Sequence, residues 1–313
     1  MLILDRKIAK GEGAVLELEV ARLHTRNSIK ISIIVQRAKT KGPTILLMGG
    51  IHGDEINGVA IVRDIIRKKY NIPDRGTIIC IPVFNVFGYL NLSRNFPDGR
   101  DLNRMFPGSS NGSLASQFAY QFTNKIAPLV DYVIDFHTGG SQRYNFPNVR
   151  CVIKEEEEFK LAKAFGAPFI INSNYIAKSV RETIHKLGKT GILFEGGKSQ
   201  LLDEEVVDAG VAGAVNVMKH LGILKGRPGT TKNQVLIQDA KWIRAPFSGM
   251  LRLHVKNGIR VRKRTMLAEI TDSFGEFEKK VLAPVDCYIY GINTAPIVNK
   301  GDALFHIGTQ IPE

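Results

Sequence analysis

The amino-acid sequence predicts an α/β fold, a mixed sheet covered by helices on both faces, followed by a small all-β unit. Three observations carry this expectation. Short apolar runs alternate with helically spaced segments between residues 44 and 221, the first forty residues alternate with period two, and an internal repeat follows a turn-rich break.

Taken in order, "AVLELEV" and "IKISIIVQ" alternate apolar and polar residues as half-buried strands do, and are read as a hairpin over residues 12–38. "TILLMGG" (44–50) is a continuous apolar run ending in two glycines, which suits a strand covered on both faces. "INGVAIVRDIIRKKY" then has helical spacing, and "TIICIPVFN" (77–85) reads as a second buried strand. A helix over "SLASQFAYQFTNKIA", capped by Ser113, leads to a third strand at "DYVIDFH" (131–137). A charged helix near "KEEEEFKLAKAFG", a strand "PFIIN", a helix around "SVRETIHKLG", a strand "GILFEGG" and a helix over residues 203–221 complete the alternation. The acidic run 155–158 suits the early turn of a helix, where the macrodipole favours negative charge.

The segment "KGRPGTTKN" (225–233) ends this pattern, so the sequence divides into a domain over residues 1–225 and a second over 234–313. The second contains two copies of one pattern, "APFSGMLRLHVKNGIRVRKRTMLAEI" from Ala245 and "APVDCYIYGINTAPIVNKGDALFHI" from Ala283. Two such copies can face each other as a β-sandwich. The repeat resembles the barrel-sandwich of lipoyl and biotinyl carrier domains, with one departure. Its connecting hairpin reads "TDSFGEFEKK", with Lys279 and Lys280 in the outgoing strand rather than at the tip, so a structural cap is expected instead of a carrier.

Composition narrows the function classes. With 313 residues and 44% hydrophobic content the chain can bury a large core, and no apolar run approaches a membrane span, so a cytoplasmic protein with no membrane partner is expected. Three scattered cysteines exclude a disulfide framework. The formal charge of +13 is dispersed, with "RVRKR" (260–264) its one dense knot, and gives no nucleic-acid signature.

The chemistry-bearing residues sit where apolar strands end. His52 and Glu55, three apart, follow "TILLMGG" at the carboxyl end of a strand, where α/β sheets bind ligands. A hydrolytic zinc site needs a third protein ligand, and His137 ends another strand before its own glycines, with Asp135 placed to orient an imidazole. The plainer reading of His137 is a core histidine bonded to a neighbouring strand. Glu195 is an acid at the end of the apolar strand "GILFEGG", placed to act as a general base; an ion pair is its plainer reading. Between them "SRNFPDGRDLNRMFPG" (93–108) gathers Arg94, Arg100, Asn103 and Arg104, groups able to clamp a carboxylate, with Asp101 as organiser of the loop.

In order, "GGIHGDE", "GRDLNRMFPG", "DFHTGG" and "LFEGG" resemble the succinylglutamate desuccinylase and aspartoacylase family, a branch of the zinc carboxypeptidase superfamily. The resemblance spans roughly residues 40–225 by motif and extends over the repeat, which this branch typically carries. It implies a carboxypeptidase-like mixed sheet and one Zn2+ per chain held by His52, Glu55 and His137. It also implies Glu195 as the base that later protonates the leaving amine, and Asn103 and Arg104 as holders of the substrate carboxylate. The resemblance further implies an arginine upstream that polarises the carbonyl; the "FPDG" turn shifts the spacing, and Arg94 is the first choice with Arg100 the second. The expected partner is a small carboxylate-bearing amide, an N-acyl amino acid or a relative of one, with homo-oligomerisation left open. A zinc carboxypeptidase acting on short peptides, or a catalytically silent zinc-binding protein with a partner-recruiting β-unit, are the alternatives.

Overall fold

A computed structural model of the protein describes residues 1–22, 26, 28–229 and 233–310. Two short strands, β1 (Leu2–Ile3) and β2 (Arg6–Lys7), precede the antiparallel pair β3 (Gly13–Arg22) and β4 (Ser28–Arg37). Residues 23–25 and 27 of this expected hairpin, and 230–232 of the turn-rich 225–233 segment, lie outside the described residues. The alternating part runs β5 (Thr40–Gly49), α1 (Ile56–Arg67), β6 (Arg75–Ile81), α2 (Val86–Leu90), α3 (Leu114–Lys125) and β7 (Tyr132–Gly139). It continues with β8 (Arg143–Cys151), α4 (Glu156–Phe165), β9 (Phe169–Asn172), α5 (Val180–Lys186), β10 (Thr190–Lys198) and α6 (Glu204–His220). Strands alone follow: β11 (Val235–Arg244), β12 (Gly249–Leu253), β13 (Ile259–Val261) and β14 (Met266–Thr271). The last are β15 (Glu278–Leu282), β16 (Cys287–Asn293), β17 (Ile297–Val298) and β18 (Ala303–Gln310).

The mixed central sheet has twelve strands in the order β13-β16-β18-β11-β9-β8-β10-β7-β5-β6-β4-β3. The period of two along a strand assigns its apolar residues to two layers. Leu46 and Met48 of β5 pack with Phe118 and Phe122 of α3 and Ile184 of α5, whereas Ile45 and Leu47 pack with Ile61 and Ile65 of α1, Phe165 of α4 and Val217 of α6. That two-sided burial explains why β5 reads as a continuous apolar run. The expected cap is present, Ser113 accepting from Ser116 N at the start of α3, and Asp203 likewise accepts from Val206 N at the start of α6.

Among the described residues beyond 233, the regular elements are all strands. Strands β11, β18, β16 and β13 extend the central sheet, while β15, β14, β12 and β17 form a separate antiparallel sheet. Both contribute to one apolar cluster that includes Leu267, Ile270, Ile289 and Phe305. Strand β8 was not legible in advance. Its sequence "RYNFPNVRC" is polar and carries Pro147, features that count against a central strand, yet it lies between β10 and β9 and also pairs with β16.

Helix α1 is held against the sheet at backbone contact. A Cβ at Gly58 would lie 2.4 Å from Phe136 O of β7, so only glycine permits the approach that sets the start of this helix. Gly58→Ala is expected to lower stability by roughly 1–3 kcal/mol, read as an earlier thermal unfolding midpoint; an unchanged midpoint would show that the helix shifts freely.

Candidate active site

Three neighbouring parallel strands, β5, β7 and β10, end side by side, and each delivers part of one site. After β5, Gly50 takes φ of +66°, a left-handed turn natural to glycine, and the chain reverses through His52 into Glu55, the residue that caps α1. His137 lies on β7, and Glu195 on β10 pairs with it in register. Apolar strands thus carry the polar groups to the point where the sheet ends.

His52, Glu55 and His137 are all buried, and each offers a ligand atom within 4.8 Å of the others. His52 Nδ1 donates to Glu55 Oε1 at 2.8 Å and His137 Nδ1 to Glu55 Oε2 at 2.9 Å, so both imidazoles aim the same ring atom at one carboxylate. Each ring is steadied from behind: His137 Nε2 donates to Asp135 Oδ2 at 2.8 Å and His52 Nε2 to Asp101 Oδ1 at 3.1 Å. Burial opposes charge on this cluster, but its members outweigh burial. Glu55 is held well below the ordinary carboxylate range by the two histidines, and His137 well above the ordinary imidazole range by Asp135 and Glu55. Two imidazoles and a carboxylate, buried and supported by outer carboxylates, fit a divalent metal ion, which would replace the protons now shared among them.

The loop between α2 and α3 closes one side. Arg94 Nη1 lies 3.2 Å from Glu55 Oε1, and Nη2 donates to Asp101 Oδ2 at 2.9 Å. Asp101 therefore does more than organise the loop, where it accepts from Asn103 N at 2.9 Å: it also joins His52 to Arg94. Burial works against its charge, yet His52 and Arg94 hold its carboxyl well below the usual range. Asn103 Oδ1 accepts from Val180 N at 2.9 Å, which leaves the amide nitrogen for other partners. Arg104 Nη1 donates to Asn103 O at 2.6 Å. Arg94, Asn103 and Arg104 all line a cleft of about 220 Å³ together with the two histidines, Glu55 and Glu195. Arg100 does not line it; its side chain is 51% exposed and pairs with Asp98 at 3.3 Å.

The opposite wall contains residues that sequence reasoning missed. Arg143, Asn145 and Arg150 come from β8, and Trp242 and His306 come from β11 and β18, much further along the chain. Asn145 Nδ2 donates to Glu195 Oε2, and Arg150 Nε lies 3.4 Å from Glu195 Oε1. His306 stacks on Trp242, with ring centroids 4.2 Å apart, and burial together with Arg150 and Arg143 pushes its pKa down to about 3. It is neutral at ordinary pH. No local pattern announces these groups, because β8 resembles a loop, Trp242 lies on the strand before the repeat and His306 lies within its second copy.

Fold and site together describe an amidohydrolase whose His-Glu-His group can hold a metal ion. The model of the succinylglutamate desuccinylase/aspartoacylase catalytic domain matches residues 41–221, more than half of the chain. The protein belongs to that family and is a deacylase of it. The chain is similar to N-alpha-acetyl-L-2,4-diaminobutyric acid deacetylase of Halomonas elongata, 29% identical over 265 residues that cover 81% of this chain and 76% of that protein. In fold it is similar to a succinylglutamate desuccinylase/aspartoacylase from Rhodobacter sphaeroides, with 23% identity, 100% and 99% coverage and a TM-score of 0.88. It is likewise similar to the product-bound ectoine utilization protein EutE (DoeB) of Ruegeria pomeroyi, with 24% identity, 97% coverage of each chain and a TM-score of 0.86. Among the described residues no helix is long and apolar enough to cross a membrane.

Proposed function

We propose that the protein is a zinc-dependent deacylase that hydrolyses the amide of a small N-acylated amino acid, releasing a carboxylic acid and the free amine. One observation carries this reading: the three metal-type donors, an acid on the adjacent strand, and Arg94 and Arg104 of the 93–108 loop share a single cleft. The name of the Halomonas elongata relative supports an acetylated amino acid as the substrate class.

Zinc suits two imidazoles and one carboxylate with a position left open, and when bound supplies Lewis acidity that polarises a carbonyl and eases loss of a proton from water. His52, Glu55 and His137 hold it. Glu195 accepts the proton of the attacking water and passes it to the leaving nitrogen. Arg94, pinned by Asp101 and Glu55, presents its remaining N–H groups to the carbonyl oxygen as negative charge develops there. Asn103 and Arg104 grip the carboxylate of the amino acid, with two donors from the guanidinium and one from the amide. The strands after residue 233 supply Trp242 and His306 as a wall that narrows the cleft.

A substrate panel tests the reading. N-acetyl amino acids are expected to be cleaved, and their α-carboxamides to show kcat/KM about 10- to 100-fold lower, as for loss of a charge-assisted hydrogen-bonded pair. Equal rates for acid and amide would remove the carboxylate clamp. Dipeptides cleaved faster than N-acetyl amino acids would instead favour a carboxypeptidase.

A further inference from the structure

The strands after residue 233 reach the base as well as the cleft wall. At its amino end β8 leaves the register it keeps with β9 and pairs with β16 instead, through Asn145 with Gly291, Tyr144 with Ile292 and Arg143 with Asn293. On its other side the same Asn145 pairs with Gly197 of β10, past a bulge that separates Glu195 from Gly197. Asn145 therefore stands where the strand carrying the acid and a strand of the C-terminal part flank one residue. Its side chain, in a residue only 5% exposed, donates to Glu195 Oε2. The orientation follows from chemistry: a carboxylate only accepts, so the amide must turn its nitrogen to Glu195 and its oxygen away. That oxygen points at Gly291. A Cβ built on Gly291 would lie 3.0 Å from Asn145 Oδ1 and 2.9 Å from the Cβ of His306, so a side chain at position 291 would press on the amide and on His306.

We infer that Asn145 is a positioning residue for Glu195 and that Gly291 fixes where Asn145 stands, which makes β16 part of the apparatus that aims the base. The inference rests on Glu195 being that base. Held through Oε2 by Asn145 and flanked at Oε1 by Arg150, the carboxylate has a defined rotamer beside the metal-type donors, and a misplaced base loses rate without losing substrate affinity.

Steady-state kinetics with metal analysis on the full-length protein tests this. Asn145→Ala is expected to lower kcat about 10- to 100-fold while KM stays within about 3-fold, with bound metal per chain unchanged. Asn145→Asp keeps the shape of the side chain but sets an oxygen against Glu195, so its kcat should fall at least as far as that of Asn145→Ala. A packing role predicts the reverse order, with the isosteric Asp variant near wild type, and that result would overturn the inference. Gly291→Ala should lower kcat in the wild-type background and change it by less than about 2-fold in the Asn145→Ala background, because coupled residues are not additive. Equal losses in both backgrounds would remove the role of Gly291. If Gly291→Ala does not fold, the order of the Asp and Ala variants still decides for Asn145. Turnover retained in Glu195→Gln would mean that the base assignment itself is wrong; an inactive Glu195→Gln beside a fully active Asn145→Asp would sink only the positioning.

Discussion

Glu195→Gln is expected to bind as much metal as the wild-type protein and to turn over about 10²- to 10⁴-fold more slowly, the usual contribution of general acid–base catalysis. The substitution removes a proton acceptor and little else. Glutamine has the same outline, Asn145 can rotate its amide to suit the new group, and none of the three metal-type donors belongs to Glu195. Kinetics with an N-acetyl amino acid and zinc quantification per chain check both halves. Near-normal turnover would transfer the base role elsewhere, whereas lost metal would make Glu195 a support of the cluster.

His137→Ala should give the opposite metal result. Two donors are one short of the three protein ligands a hydrolytic zinc site uses, and the change also strips Glu55 of one of the bonds that hold its charge, leaving a buried carboxylate short of partners. Zinc content is expected to fall well below one per chain and turnover to background. Stability in the absence of metal should drop by roughly 3 kcal/mol or more, as when one member of a buried ionic pair is deleted. A His137→Ala protein that retained zinc and hydrolysed substrate would overturn the ligand set. Because the two variants share one pair of measurements and differ in the predicted metal content, together they separate holding the ion from moving the proton.

Much of the fold was legible because burial leaves a periodic trace. Strands β5 and β7 are covered on both faces and appear as apolar runs, and β10 buries Ile192 and Phe194 on one face; α1 and α6 show helical spacing; Ser113 and Asp203 cap where a cap was expected or where the helix was said to start. The ends of those strands were legible for the same reason. A charged or titratable residue directly after an apolar run stands out, which is why His52, Glu55, His137 and Glu195 could be chosen before their distances were known. Asp135 was also placed, two residues before His137 on the same face of the strand. The loop arginines were harder to rank. Arg94 and Arg100 are equivalent as letters, and they part only because Arg100 turns out toward Asp98 while Arg94 turns in toward Glu55 and Asp101.

Local chemistry in the sequence was thus enough to name an α/β fold, an all-strand C-terminal part, a three-residue metal-type group and an acid beside it. Each of these depends on short-range patterns: strand period, helix spacing, glycine turns and residues close to a strand end. The tertiary structure alone decided what surrounds them. It set β8 against β10 although its polar, proline-containing sequence gives no strand signal, and thereby brought Asn145 and Arg150 to Glu195. It also joined the C-terminal strands to the central sheet, so that Trp242 and His306 wall a cleft whose other residues lie far earlier in the chain. The physical reason is that strand pairing uses backbone groups that every residue shares, so which distant strands become neighbours is selected by the packing of the whole sheet.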